Sequence, residues 1–436
     1  MLATMDAATL DANERHRAAA RALHDLAKPL RVLSAFGWSG ELREAFLSSG
    51  GEKLPEPRYE PFDAKPVVEG VARVRRLLRP GALADDWLGR EASSIEATAH
   101  MLATAGTPAF HEHSRELYGV PTRPTRFDPT TPLQLAQQVH SSIEELTQIK
   151  LLAPAKRDRT AEEVAAELEA GVRLHFGDDA PKVELVDELS ANALATASRI
   201  KVRRGAKFTR RDAAQLLNHE AFIHVATALN GKAQTDLPIL AIGHPGTTRT
   251  QEGLAVFSEF VSGTLELDRL RRLADRVVAV QMVCEGADFV TLYRWFVQRC
   301  DSAEQAFEAT RRIFRGAPLG GGAPFTKDCG YLSGLLGVMM FVRAAFAANR
   351  SDTLGLLFAG KLDLSAIPAL ADLRRRGLCK RARFLPPWAS EPGWVLSYLT
   401  LSTFFTRVDL TAVAEGVKQA LAACAPLEYP TAPAPN

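Results

Sequence analysis

Residues 216–231 read LLNHEAFIHVATALNG, and three of them are of kinds that bind a metal ion and move a proton. His219 and His224 offer imidazole nitrogens, and Glu220 offers a carboxylate beside the first of them. The spacing is the difficulty. On a regular α-helix a five-residue step turns through about 500°, which leaves the two rings about 140° apart and unable to share one ion. One extra residue in a single turn, a π-bulge, removes the obstacle, because five residues then span little more than one turn. Such bulges gather at functional sites. A hydrolytic zinc site takes three protein donors and keeps one position for water. Glu252, on a separate expected helix, is the candidate third donor. Glu220 would then take the proton of the attacking water and return it to a departing amine. The plain alternative is a solvated helix on which HExxxH has no partner.

The surrounding pattern says what must hold these groups. Thr209 followed by Asp212 predicts a capping-box start, and the helix it opens is expected to run to Asn230 with Gly231 as its left-handed stop. Just before it, RIKVRRGAKFT at 199–209 predicts a hairpin turning at Arg204 and Gly205, and VELVD at 183–187 predicts another strand. A second helix begins near Thr250 and carries Glu252. Apolar residues at three- and four-residue steps predict helices over 9–36, 134–152 and 161–176. A long helical region over 269–314 and a buried helix over 331–348 follow. Proline-rich segments at 55–66 and 121–132 mark boundaries. The expected fold is α+β and mostly α-helical. It divides into a helical lobe at 1–130, a catalytic core at 131–350 and a helical segment at 351–436, whose tail YPTAPAPN is expected to be disordered.

Bulk properties remove several function classes. Hydrophobic content of 46% with 24% charged residues is that of a folded chain, so disorder is not the default. With 53 basic and 51 acidic residues the net charge of +2 gives no general pull toward nucleic acid or anionic lipid. Five cysteines, an odd number without a CxxC pair, make a disulfide framework or a zinc ribbon a poor reading. Asp6, Asp11 and Glu14 stand where a secretion signal would need a basic start and an apolar run. The longest apolar run, 331–342, is shorter than the ~20 residues a bilayer needs. The expectation is a cytoplasmic protein with neither nucleic-acid nor membrane partner and with its oligomeric state open.

At 251–255, QEGLA, the chain resembles the bacterial family named for that motif, whose eukaryotic relatives include the microtubule-associated tyrosine carboxypeptidases. HExxxH precedes the motif in that family as it does here. The resemblance also takes in Asn230 and Gly231, Gln234, RGAP at 315–318 and FTKDCGYLSG at 325–334, so the motifs lie within about 199–341. It implies a zincin-like catalytic core with Zn2+ held by His219, His224 and Glu252, and with Glu220 as the catalytic base. It implies removal of a C-terminal residue from a peptide or protein tail, tyrosine or another aromatic or acidic residue, without implying tubulin.

A carboxypeptidase must hold a free carboxylate, and Lys327 is the first candidate, with Arg315 and Arg311 behind it. The alternative for Lys327 is a surface pair with Asp328. Tyr331 either donates to a developing oxyanion or opens a core helix. Glu259 and Gln251 either orient a ligand histidine or are solvated. Six basic residues in 201–211 favour acidic tails if that hairpin offers a free edge to an extended peptide. His111 and His113 point to opposite sides of a helix, and His244 is expected in a loop, more often exposed. The basic run at 374–383 lacks interleaved aromatics and reads as a solvated face. Three rival readings stand beside the enzyme: a peptide-tail binder that does not cut, a zinc amidase acting on a non-peptide amide, and a nucleic-acid-binding regulator.

Overall fold

The computed structural model describes residues 11–124, 129–147, 156–187, 189, 192–408, 415, 417, 418 and 422. Residues Met1–Ser390 form one compact unit and Glu391–Asn436 a second, within which Pro392–Arg407 is a helix. The lobe expected at 1–130 and the core expected at 131–350 both fall inside the first unit. The proline-rich tail lies outside the described residues.

Helices dominate, and several start where local chemistry says they should. Asp11 accepts from the Glu14 amide while Glu14 accepts from the Asp11 amide, which caps Ala12–Ala27. Thr160 and Glu163 repeat the arrangement at Ala161–Phe176, which ends at Gly177 with φ of 58°. The long region over 269–314 resolves into Leu267–Cys284, Phe289–Val297 and Ala303–Phe314.

The one sheet among the described residues corrects the expected hairpin. Its strands are β1 (Lys182–Val186), β2 (Ala193–Ala195) and β3 (Arg199–Arg203), in the order β1-β3-β2. β3 runs parallel to β1 and antiparallel to β2. Arg204 and Gly205 leave the sheet, and Phe208 instead exchanges backbone hydrogen bonds with Arg159. The reason is burial on a two-residue period: Ile200 and Val202 are fully buried against Val164, Leu168 and Val172, which draws β3 into the centre. Both edges of β3 are therefore occupied, so the basic stretch offers no free strand edge there. Arg199 and Arg204 instead face Glu184 and Asp187.

A buried helix, Pro245–Val261, is the axis of the first unit, with Leu254, Ala255, Val256 and Phe257 fully buried. It packs on the HExxxH helix and crosses Gly330–Ala347. At the crossing a Cβ on Gly253 would stand 2.1 Å from the carbonyl carbon of Gly334. The two backbones meet because neither position carries a side chain. Among the described residues one helical stretch, 327–347, is long and apolar enough to cross a membrane by length and composition; it exceeds the expected apolar run because the turn from Lys327 joins it. Its Val338 and Val342 are fully buried in the protein core.

Gly231 does not stop its helix. It lies inside Ala226–Lys232 without a positive φ, and a Cβ there would come within 2.2 Å of the Leu240 carbonyl oxygen. Close packing, rather than left-handed backbone, is what the position requires. Its neighbour Asn230 satisfies four backbone groups: its amide donates to the Phe358 and Phe384 carbonyls, and its oxygen accepts from the Arg383 and Phe384 amides. Gln234 ties the same segments through Ala359 and Lys380.

Candidate active site

The helix carrying HExxxH is regular over Asp212–Leu216, widens to a π-helix over Leu217–Val225 and is regular again over Ala226–Lys232. At its start Asp212 accepts from the Thr209 amide at 2.7 Å, one half of the expected capping box; the Thr209 hydroxyl accepts from the Arg211 amide instead of the Asp212 amide, because Arg211 is the capping residue. The widened turn brings the His219 and His224 rings to 4.9 Å between centroids, at 85° to each other. A π turn shifts carbonyls away from their usual partners, and side chains meet two of them here. The Thr227 hydroxyl lies 2.6 Å from the Ile223 carbonyl oxygen, and Lys361 Nζ donates to the His224 carbonyl at 2.9 Å. Gln251 Oε1 receives both helpers, Thr227 at 2.9 Å and Lys361 at 3.2 Å.

Glu252 arrives from the buried helix. Its Oε2 lies 3.7 Å from His219 Nε2 and 3.8 Å from His224 Nε2, and the three donor groups fall within 4.8 Å of one another. Those separations are too long for hydrogen bonds and close to the spacing of donors each about 2 Å from one shared cation. His219 Nδ1–H donates at 2.6 Å to Glu259, which is fully buried and clamped by Arg269 at 3.2 and 3.3 Å. That bond directs the bare Nε2 lone pair toward Glu252. Two imidazoles and a carboxylate so arranged can hold a tetrahedral divalent cation, and the donor set suits zinc.

Burial raises the Glu252 carboxyl, but Lys327 at 2.9 Å and the two histidines hold it well below the usual carboxylate range. Burial also raises Glu259, and Arg269 with His219 reverses this to about 2. His219 is pushed down by burial, yet the Glu259 bond and charge carry it above its ordinary value. His224 is pushed well down by burial and by the nearby Lys361 charge. Glu220 behaves oppositely to Glu252: burial raises it, with His219 opposing and Glu252 adding to the rise. Its Oε2 accepts from the Ala195 amide of β2 at 3.0 Å, so the sheet holds the carboxylate in place. Two carboxylates side by side are thus driven apart in basicity, one as a firm anion and the other as a better proton acceptor.

The surroundings sort the other expectations. Lys327 reaches the cluster and bonds Glu252, while Asp328 is chelated by Arg312 at 2.7 and 2.9 Å, so the surface pair of Lys327 with Asp328 does not form. Tyr331 is buried at the start of Gly330–Ala347, as its core role expects, and its hydroxyl accepts from Lys327 at 3.3 Å and Arg312 at 3.4 Å. Arg315 is buried at the end of Ala303–Phe314, where burial and the neighbouring Arg312 lower it to about 10. Arg311 is not brought to the cluster, because Glu308 one turn back captures it and it donates to the Trp38 carbonyl. His244 is buried rather than exposed: it heads the buried helix and pairs with Glu91. His111 bonds the Pro324 carbonyl and His113 stacks on His100, both away from the donors.

Arg269, Arg276 and Lys361 escaped the sequence reading. Arg269 and Arg276 lie seven residues apart on Leu267–Cys284, a two-turn spacing that shares a face and was there to be found. Lys361 follows no periodic element and gives no such signal.

The profile of the family described as microtubule-associated tyrosine carboxypeptidase matches residues 44–407, well beyond the segment that holds the motifs. No curated protein sequence matches the chain. With the match covering most of its length and the HExxxH and QEGLA helices converging as described, this chain belongs to the microtubule-associated tyrosine carboxypeptidase family.

Proposed function

We propose that the protein is a zinc-dependent carboxypeptidase that removes the last residue of a peptide or protein tail. The observation that carries this reading is the convergence of His219, His224 and Glu252 through a π turn, with Glu220 next to His219 in the chain and feeling the charges of His219 and Glu252. When bound, zinc supplies a Lewis acid that polarises the scissile carbonyl and acidifies the attacking water. Glu220 accepts that water's proton, held for the task by the Ala195 amide, and delivers it to the departing amine. The Tyr331 hydroxyl, oriented by two cationic donors, has its own proton free to give to a developing oxyanion. The family description names tyrosine, so a peptide ending in tyrosine is the first substrate to test.

Metal analysis of the purified protein tests the reading. About one zinc per chain is expected, and it should be lost in both His224→Ala and Glu252→Gln. Retention of the metal by both variants would place it elsewhere and end the proposal. A smaller change is expected at Glu259→Ala, which keeps all three donors but frees the His219 ring: zinc affinity should fall about 10- to 100-fold in a chelator competition. An unchanged affinity would show that the bond to Glu259 does not orient His219 for metal.

A further inference from the structure

We propose that Arg276 receives the free α-carboxylate of the substrate's last residue. This deepens the carboxypeptidase reading and rests on it. The other cations around the site are already engaged, except Arg315. Lys327 is engaged by Glu252 and the Tyr331 hydroxyl, and Arg312 by both oxygens of Asp328. Arg269 clamps Glu259, and Lys361 is committed to the His224 carbonyl and Gln251. The Arg276 side chain donates no hydrogen bond among the described residues. Its nearest acid, Asp328, stands 4.0 Å away, beyond hydrogen-bond reach and already chelated.

Position supports the assignment. The Arg276 guanidinium lies over the Tyr331 ring, 5.5 Å from its centroid, and Lys327 Nζ lies 5.1 Å from the same centroid. Arg276 and the lysine that touches Glu252 therefore neighbour the same aromatic ring. The side chain is 18% exposed, so an anion can reach it. A largely desolvated guanidinium without an acceptor is costly, and a planar fork of N–H groups is the shape that matches a carboxylate. Burial first, and then the Arg312 charge, lowers Arg276 to about 10, which an arriving anion would relieve. Arg315 is the competing candidate, since it too is buried and its side chain donates no hydrogen bond among the described residues. Arg276 is preferred because it lies against Tyr331, whose hydroxyl is bonded to Lys327.

The test measures binding apart from turnover. In the Glu220→Gln protein, a hexapeptide ending in tyrosine is titrated by calorimetry in its free-acid and its C-terminally amidated forms. The acid should bind about 10- to 100-fold more tightly, as a charge-assisted bond predicts. Adding Arg276→Gln should bring the acid to the affinity of the amide and leave the amide unchanged, while Arg276→Lys keeps part of the preference. In the active protein, Arg276→Gln should raise KM by the same factor with kcat little altered. Equal weakening of acid and amide, an unchanged preference, no preference before the change, or its loss in Arg315→Gln but not in Arg276→Gln would each overturn the assignment. An acid preference that depends on Arg276, in a protein that does not cleave the peptide, would sink the carboxypeptidase reading and leave this one standing.

Discussion

Glu220→Gln should lower the rate of C-terminal residue release by about 10²- to 10⁴-fold, the range over which a positioned base acts, while zinc content and folding stay as they were. The substitution preserves volume and leaves an oxygen to accept from the Ala195 amide, so the link to β2 survives. It removes only the ability to take a proton. Glu220 is not among the three converging donors, which is why metal content is expected to hold. Its burial and the nearby Glu252 charge raise its affinity for a proton, so it is the carboxylate here suited to accept one. Initial rates on a peptide ending in tyrosine, with zinc measured on the same sample, decide the matter. A variant that retains full effect would favour the rival in which tails are bound without being cut.

The largest expected loss of stability comes from adding a single methyl group at a glycine. Gly253→Ala should cost about 3 kcal/mol or more in chemical denaturation, at the upper end for overpacking, because the clash is with backbone. The new Cβ would stand 2.1 Å from the Gly334 carbonyl carbon, and the reciprocal change at Gly334 would meet the Arg249 carbonyl oxygen at 2.2 Å. No side-chain rotation relieves either contact. The helices must part, and Glu252, next to Gly253, must move with its backbone, so weaker metal binding should accompany the loss. Gly320→Ala is the control: a Cβ there meets nothing within 4 Å, and the change should stay within about 0.5 kcal/mol. An unchanged denaturation midpoint for Gly253→Ala would show that the crossing is looser than these distances.

Seen this way, the glycine of QEGLA is a packing residue and the glutamate beside it a chemical one. The first places the second. The same division runs through the HExxxH helix, where His219 and His224 supply donors while Thr227, Gln251 and Lys361 hold the widened turn. Glu259, seven residues beyond Glu252, shares its helix face and reaches the far nitrogen of His219. The proposed metal ligands, the proposed base and the acid that bonds His219 thus come from two neighbouring helices and depend on the contact between them.

Much of this was legible in the residue order. The capped starts at Asp11 and Thr160, the Thr209–Asp212 bond and the helix over Ala161–Phe176 follow from interactions between residues a few positions apart, and the need for a π turn follows from the five-residue spacing of His219 and His224. Such interactions are the same whatever the rest of the chain does, so the sequence by itself determined them. The chain could not reveal locally that β3 would be central, that Gly231 would press on Leu240, or that Arg311 would turn to Glu308 while the Arg276 side chain kept no hydrogen bond among the described residues. Those outcomes depend on which distant segments arrive alongside. A strand pairs on whichever edges neighbours offer, and a long cationic side chain ends at the nearest acceptor, so only the tertiary structure could decide them.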